Sequence, residues 1–251
     1  MVLCLSGLTR DMADFDYMLP HLPPVRLIRM DYRGRGASEW TGPDSYTVQQ
    51  EADDALALLD HLGVEKAAVI GTSRGGMIAM YLAYLARHRI SGVLLNDIGP
   101  DLSPQGLSRI FDYLGRNPVW KTHDQAAASL PQVIQGFAGV PPSRWLEEVR
   151  HHYQQTDAGL RITYDPALRE AFITAMKDQP TDLWPYFEAL SDLPLALLRG
   201  ANSDLLLPHT VERMRNLRPD MLYAQVPDRA HIPFLDEAAS IKVIHEFINV
   251  I

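Results

Sequence analysis

The feature that most restricts this chain is an alternation of short apolar runs with longer helix-like stretches. The runs are VLCL (2–5), VRLIRM (25–30), KAAVIG (66–71), GVLLND (92–97), LALLRG (195–200) and LYAQVP (222–227). Several lack polar alternation, which suits strands of a parallel sheet covered on both faces. Helical patterns fall between them at 12–21, 47–61, 74–88, 209–217 and 236–249. In the second, Thr47 caps a helix that sets Val48, Ala52, Ala55, Leu58, Leu59 and Leu62 on one face, and Gly63 ends it. Strand and helix in alternation predict an α/β fold, a doubly wound and mostly parallel sheet.

Residues 100–190 break this rhythm. Helix-like stretches there are separated by Pro104, Pro118, Pro131, Pro141, Pro142, Pro166, Pro180 and Pro185, and no run reads convincingly as a strand. The expected organisation is a core of 1–99 and 191–251 with a helical insertion of 100–190. Hydrophobic residues are 47% of 251, enough for one sizeable core.

Composition removes several classes of partner. A formal net charge of -8 disfavours nucleic acid and anionic membrane surfaces, which call for a basic face. Cys4 is the only cysteine, so neither an internal disulfide nor a cysteine zinc site is available, and VLCL marks it as a buried strand residue. The adjacent His151 and His152 cannot share a helix face to bind a metal, and no metal is expected. No apolar run approaches the ~20 residues that span a bilayer, and the start lacks the basic region of a signal peptide. These features predict a soluble cytoplasmic protein.

In open α/β sheets ligands bind beyond the carboxyl ends of the strands. After 66–71 comes TSRGG, where Gly71, Ser73 and Gly75 match a nucleophile elbow: the glycines clear space for a sharp turn that lifts the serine Oγ above the sheet. An ordinary strand-to-helix turn would look the same. After 195–200 Asp204 follows a strand end, and after 222–227 His231 sits in a loop before the last helix. Taken together, Ser73, Asp204 and His231 lie beyond three strands in one of the known chain orders of a Ser-His-acid set. Asp97 in NDIGP also ends a strand and is the rival acid, with RGANSD favouring Asp204.

With these residues in place the chain resembles the α/β-hydrolase family in its form with a helical cap. The resemblance rests on LSGLTRDMADF (5–15), DYRGRGASE (31–39), GTSRGGMIA (71–79), NDIGP (96–100), LRGANSDLL (198–206) and DRAHIPFLDEA (228–238). It implies Ser73 as nucleophile, His231 as base, Asp204 as acid, and an oxyanion hole from the backbone N–H groups of Leu8 and Arg74. It also implies that 100–190 is the cap. Such chemistry needs no metal or organic cofactor.

Some positions depart from the family pattern. Ser6 stands where many relatives have His, and Ala230 stands beside the histidine where a glycine is more usual. The antiparallel strand pair that usually opens the sheet does not precede residue 2. Either the chain begins late or the sheet has an open edge at 25–30, which would invite a homodimer. Arg74 follows the nucleophile, where relatives often carry an apolar residue. It either meets an anionic substrate group or, as favoured here, turns aside to an acidic neighbour. Asp31 and Arg33 are expected to pair within a supporting loop.

The insertion is rich in aromatic residues, of which Phe137, Trp145 and Trp184 are the candidate substrate contacts. A serine nucleophile disfavours dehalogenase and epoxide-hydrolase chemistry, for which the family uses aspartate. Small carboxylic esters, lactones or thioesters are the expected substrates. The alternatives are a carbon–carbon bond hydrolase of the aromatic-degradation type, a perhydrolase side activity, and a non-catalytic ligand binder of hydrolase fold.

Overall fold

The computed structural model describes residues 1–177 and 182–251. Pro180 therefore lies outside the described residues. The elements run β1 (Val2–Leu5), β2 (Leu27–Arg29), α1 (Val48–His61), β3 (Ala67–Thr72), α2 (Arg74–Leu85) and β4 (Ile90–Asn96). An inserted segment follows: α3 (Pro104–Tyr113), α4 (His123–Val133), α5 (Pro142–His152), β5 (Tyr153–Thr156), β6 (Gly159–Ile162), α6 (Leu168–Lys177) and α7 (Trp184–Glu188). The sheet then resumes with β7 (Leu195–Gly200), α8 (Pro208–Leu217), β8 (Leu222–Val226) and α9 (Ala238–Val250).

The main sheet has the order β2-β1-β3-β4-β7-β8, and every neighbouring pair is parallel. Its strands are apolar without alternation because both faces are covered. Leu3, Leu5, Val69, Val93, Leu95 and Leu197 pack on one face with α1, α2 and α8 residues such as Leu59, Ile78 and Met214. Val2, Cys4, Ala68, Ile70, Leu94 and Leu198 pack on the other with Phe15, Met18, Ile244 and Phe247. Each fully buried Leu, Ile or Val contributes about 1.5–3 kcal/mol relative to an exposed one. The mixed pattern of a one-sided sheet is absent for this reason. Helix α1 starts as its sequence predicts: the Thr47 Oγ1 accepts from the Gln50 N–H at 3.1 Å, and Gly63 takes φ 64° at the far end.

Two local expectations are corrected. Residues 12–21 form two 3₁₀ turns, Met12–Phe15 and Leu19–His21, because Pro20 stands where a continuous helix would need an N–H. The inserted segment is not purely helical: Tyr153–Thr156 and Gly159–Ile162 make an antiparallel hairpin. Gly159, at φ 128°, closes its turn, and only Leu160 and Ile162 of β6 face inward with Gly159, which is too few positions for a period of two to register. The segment is fastened to the core near residues 34–46. Arg35 bridges Tyr164, the Asp165 N–H donates to the Gly34 carbonyl at 2.8 Å, and the Tyr46 hydroxyl donates to Asp165 Oδ2 at 2.5 Å.

Candidate active site

Ser73 sits between β3 and α2 with φ 50° and ψ -112°, a backbone conformation that costs a non-glycine residue on the order of 1–3 kcal/mol. The surrounding glycines stand where no side chain fits, two of them because backbones pass too close. A Cβ on Gly75 would stand 2.0 Å from the Leu5 carbonyl oxygen. One on Gly71 would stand 2.6 Å from the Gly75 oxygen, and one on Gly76 would stand 2.2 Å from Ile98 Cγ2. Helix α2 therefore crosses the ends of β1 and β3 in backbone contact, and Ser73 is held at the crossing. Its N–H donates to the Asn96 carbonyl at 3.0 Å.

The segment between β8 and α9 brings His231 over this turn. His231 Nε2 lies 3.0 Å from Ser73 Oγ, and His231 Nδ1 lies 2.7 Å from Asp97 Oδ2. A carboxylate only accepts, so Nδ1 donates to Asp97, and Nε2 is left to accept from the serine hydroxyl. Asp97 is fully buried at the end of β4 with φ 54°. The Gly200 N–H donates to its Oδ1 at 2.8 Å, and the Ser203 hydroxyl donates to its Oδ2 at 2.6 Å. Both carboxylate oxygens are thus satisfied by fixed donors.

Asp204, the acid expected from RGANSD, is not brought to His231. Its neighbour Ser203 faces Asp97, and Asp204 itself pairs with Arg109 of α3, Nη1 to Oδ2 at 2.8 Å. The strands β4 and β7 are adjacent, with Asn96 opposite Leu198, so both carboxylates follow neighbouring strand ends. Backbone direction at Asp97 decides which of them reaches the imidazole.

The loop after β1 carries Leu8. The Arg10 N–H donates to the Gly7 carbonyl at 3.2 Å, and Arg35 Nε donates to the Leu8 carbonyl at 2.9 Å. Arg74 opens α2, and its side chain turns aside: Nε donates to Glu51 Oε2 at 2.7 Å and Nη2 to the Tyr46 carbonyl at 3.1 Å. Arg33 pairs with Asp54 at 2.6 Å and not with Asp31. Asp31 instead accepts from the Met12 and Ala37 N–H groups, because the tight turn at Gly36 folds the backbone onto its carboxylate.

Phe137 and Trp145 of the inserted segment meet Phe234, three residues beyond His231. The Phe137 and Phe234 rings stack at 5.4 Å, and Trp145 stands edge-on to both. Phe234 was not singled out from sequence, although it belongs to the motif that contains His231. Trp184 is elsewhere: it packs in the main core, donates from Nε1 to Asp101 at 2.9 Å, and lies under the Arg213 guanidinium. Cys4 is buried in β1, and burial pushes its thiol up to about 12 against a small opposing pull from Arg29. Among the described residues no helix is long and apolar enough to cross a membrane.

A parallel sheet with a serine on a strained strand-to-helix turn, and a histidine bridging it to a buried carboxylate, defines a class of hydrolase-fold proteins. The chain belongs to the alpha/beta hydrolase family, whose model matches residues 1–238. It is 36% identical to the 3-hydroxybutyrate-oligomer hydrolase of Cupriavidus necator, over 98% of this chain and 87% of that protein. It is also 23% identical to the 2-(acetamidomethylene)succinate hydrolase of Mesorhizobium japonicum, over 99% of this chain and 88% of that one. Among solved structures, an alpha/beta hydrolase from Novosphingobium aromaticivorans superposes with a TM-score of 0.91 at 35% identity, covering 100% of this chain and 89% of its own.

Proposed function

We propose that the chain is a serine hydrolase of small carboxylic esters, lactones or thioesters. The observation that carries this reading is the relay from Ser73 Oγ to His231 Nε2 and from His231 Nδ1 to Asp97, at 3.0 and 2.7 Å. As Ser73 Oγ bonds to the acyl carbon, His231 takes its proton. The resulting imidazolium is stabilised by Asp97, which takes the part that sequence had given to Asp204. His231 then passes the proton to the departing alkoxide or thiolate, leaving an ester on Ser73. Water attacks that ester, gives its proton to His231, and the acid leaves as the serine hydroxyl re-forms. The Leu8 and Arg74 N–H groups would donate to the tetrahedral oxyanion.

Residues 100–190 act as a cap in this reading. The contact of Phe137 and Trp145 with Phe234 supports an apolar wall beside His231. The Cupriavidus relative is named for 3-hydroxybutyrate oligomers, which are ester-linked hydroxy acids, so short hydroxy-acid esters are the substrates to test beside simple alkyl esters. The test is initial hydrolysis rates on p-nitrophenyl esters from acetate to octanoate, and on the 3-hydroxybutyrate dimer, for wild type and Ser73→Ala. Activity with a chain-length optimum that is lost in the variant is expected. An inactive wild type, or activity that survives the substitution, would overturn the proposal and turn attention to carbon–carbon substrates and to binding without turnover.

A further inference from the structure

Bonded to Arg74, the residue after the nucleophile, is a buried ion pair that the proton relay does not use. The side chains of Arg35 and Glu51 are both 0% exposed, with Arg35 Nη1 2.6 Å from Glu51 Oε1. Taking two charges out of water costs several kcal/mol per ion, and apolar residues of similar size often serve stability as well. A charged pair kept in such a place calls for a use.

The contacts of this pair extend to two particular residues. Arg35 Nε donates to the Leu8 carbonyl at 2.9 Å, and its Nη1 donates to the Arg33 carbonyl at 2.7 Å. Glu51 Oε2 accepts from Arg74 Nε at 2.7 Å. The chain of contacts therefore runs Leu8, Arg35, Glu51, Arg74. Its ends are the residues whose N–H groups would hold the oxyanion.

We infer that Arg35 and Glu51 form a brace that sets the separation and direction of the two oxyanion donors, a positioning role that rests on the ester-hydrolase reading above. At one end, the peptide groups on both sides of Leu8 are pinned: the Gly7 carbonyl by Arg10, and the Leu8 carbonyl by Arg35. The direction of the Leu8 N–H is thereby fixed. At the other end, the Arg74 side chain ties the first residue of α2 to Glu51 and to the Tyr46 carbonyl. The Tyr32 and Tyr46 rings flank the Arg35 guanidinium at 5.4 and 5.5 Å, which leaves it little freedom to swing. The same loop is bonded to the inserted segment through Gly34, Tyr46 and Asp165, so the brace also rests on that segment.

A positioning role and a purely electrostatic one differ in sign. Two guanidinium groups against one carboxylate leave net positive charge near the oxyanion. Removing the Glu51 charge would then speed the reaction if charge alone mattered, and slow it if geometry mattered. The experiment uses Glu51→Gln, Arg35→Lys, Arg35→Met and Arg74→Met in the full chain. It measures kcat, KM and Tm, and inhibition by an alkyl boronic acid that forms a tetrahedral adduct on Ser73. Displacing a donor should cost less than the roughly 10²–10³-fold loss seen when one is removed, so kcat is expected to fall about 10- to 100-fold with KM little changed. The boronic-acid Ki should rise by the same factor, and Arg35→Lys should recover part of what Arg35→Met loses. Arg74→Met leaves the buried pair intact and, if the other variants do not fold, still overturns the brace should its kcat and Ki stay unchanged. Folded Glu51→Gln or Arg74→Met protein with unchanged or raised kcat, and unchanged Ki, would overturn the brace alone. A wild type without Ser73-dependent hydrolysis would overturn the ester reading and the brace with it.

Discussion

Replacing Asp97 by Asn should nearly abolish turnover while leaving the fold in place. The Gly200 N–H donates to Asp97 Oδ1 at 2.8 Å. An asparagine would put its carbonyl oxygen there, and its NH₂ would then face His231 Nδ1. A donor at that position forces Nδ1 to accept, so the imidazole proton moves to Nε2, which can no longer take the proton of Ser73. The imidazolium formed in the transition state also loses its counter-charge. Two unit charges at the observed 2.7 Å attract by about 6 kcal/mol at an effective dielectric constant of ~20. A loss of about 10⁴ in kcat corresponds to about 5.5 kcal/mol, so the wrong tautomer and the missing charge together account for a fall of that size. The assay is the initial rate on a p-nitrophenyl ester that the wild type hydrolyses well, with Tm recorded beside it. Asp204→Asn is the control: it weakens a pair whose arginine side chain is 51% exposed and should leave kcat within about threefold. Asp97→Asn activity within tenfold of wild type, or an equal loss in Asp204→Asn, would refute the reasoning.

Two further outcomes follow from close packing and burial. Gly75→Ala should lower Tm and expression together, since its Cβ would press on the Leu5 carbonyl and overpacking typically costs about 1–3 kcal/mol; a variant as stable as wild type would contradict the backbone contact between α2 and β1. Cys4, buried and with its thiol pushed up to about 12, should resist a thiol-reactive dye in the native protein and react in denaturant; rapid native labelling would show that β1 opens readily.

Much of this molecule follows from short-range pattern. The six apolar runs became the six strands of the main sheet within a few residues, because a strand buried on both faces needs an unbroken apolar stretch. Ser73 was legible because its turn demands glycines at fixed offsets, and His231 because it stood in a loop beyond the next-to-last element. The turn of Arg74 toward an acidic partner was also expected, although its partner, Glu51, was not named. Its signal was present: Glu51 falls beside Ala52 and Ala55 on the buried face of α1, where a charge is out of place unless it is paired.

Only the tertiary structure shows which of Asp97 and Asp204 meets His231. Both follow strand ends, and both fit a local motif. The outcome depends on the positive φ at Asp97 and on donors from residues 200 and 203, about a hundred positions away in the chain. The same holds for the brace, whose members at 8, 35, 51 and 74 meet only because β1, α1 and α2 pack together. The sequence by itself determined which segments would be strands of the main sheet and where a nucleophile could stand, since those depend on neighbouring residues and on burial. Which carboxylate meets the histidine is set by side-chain direction across adjacent strands, and that exists only once the sheet has assembled.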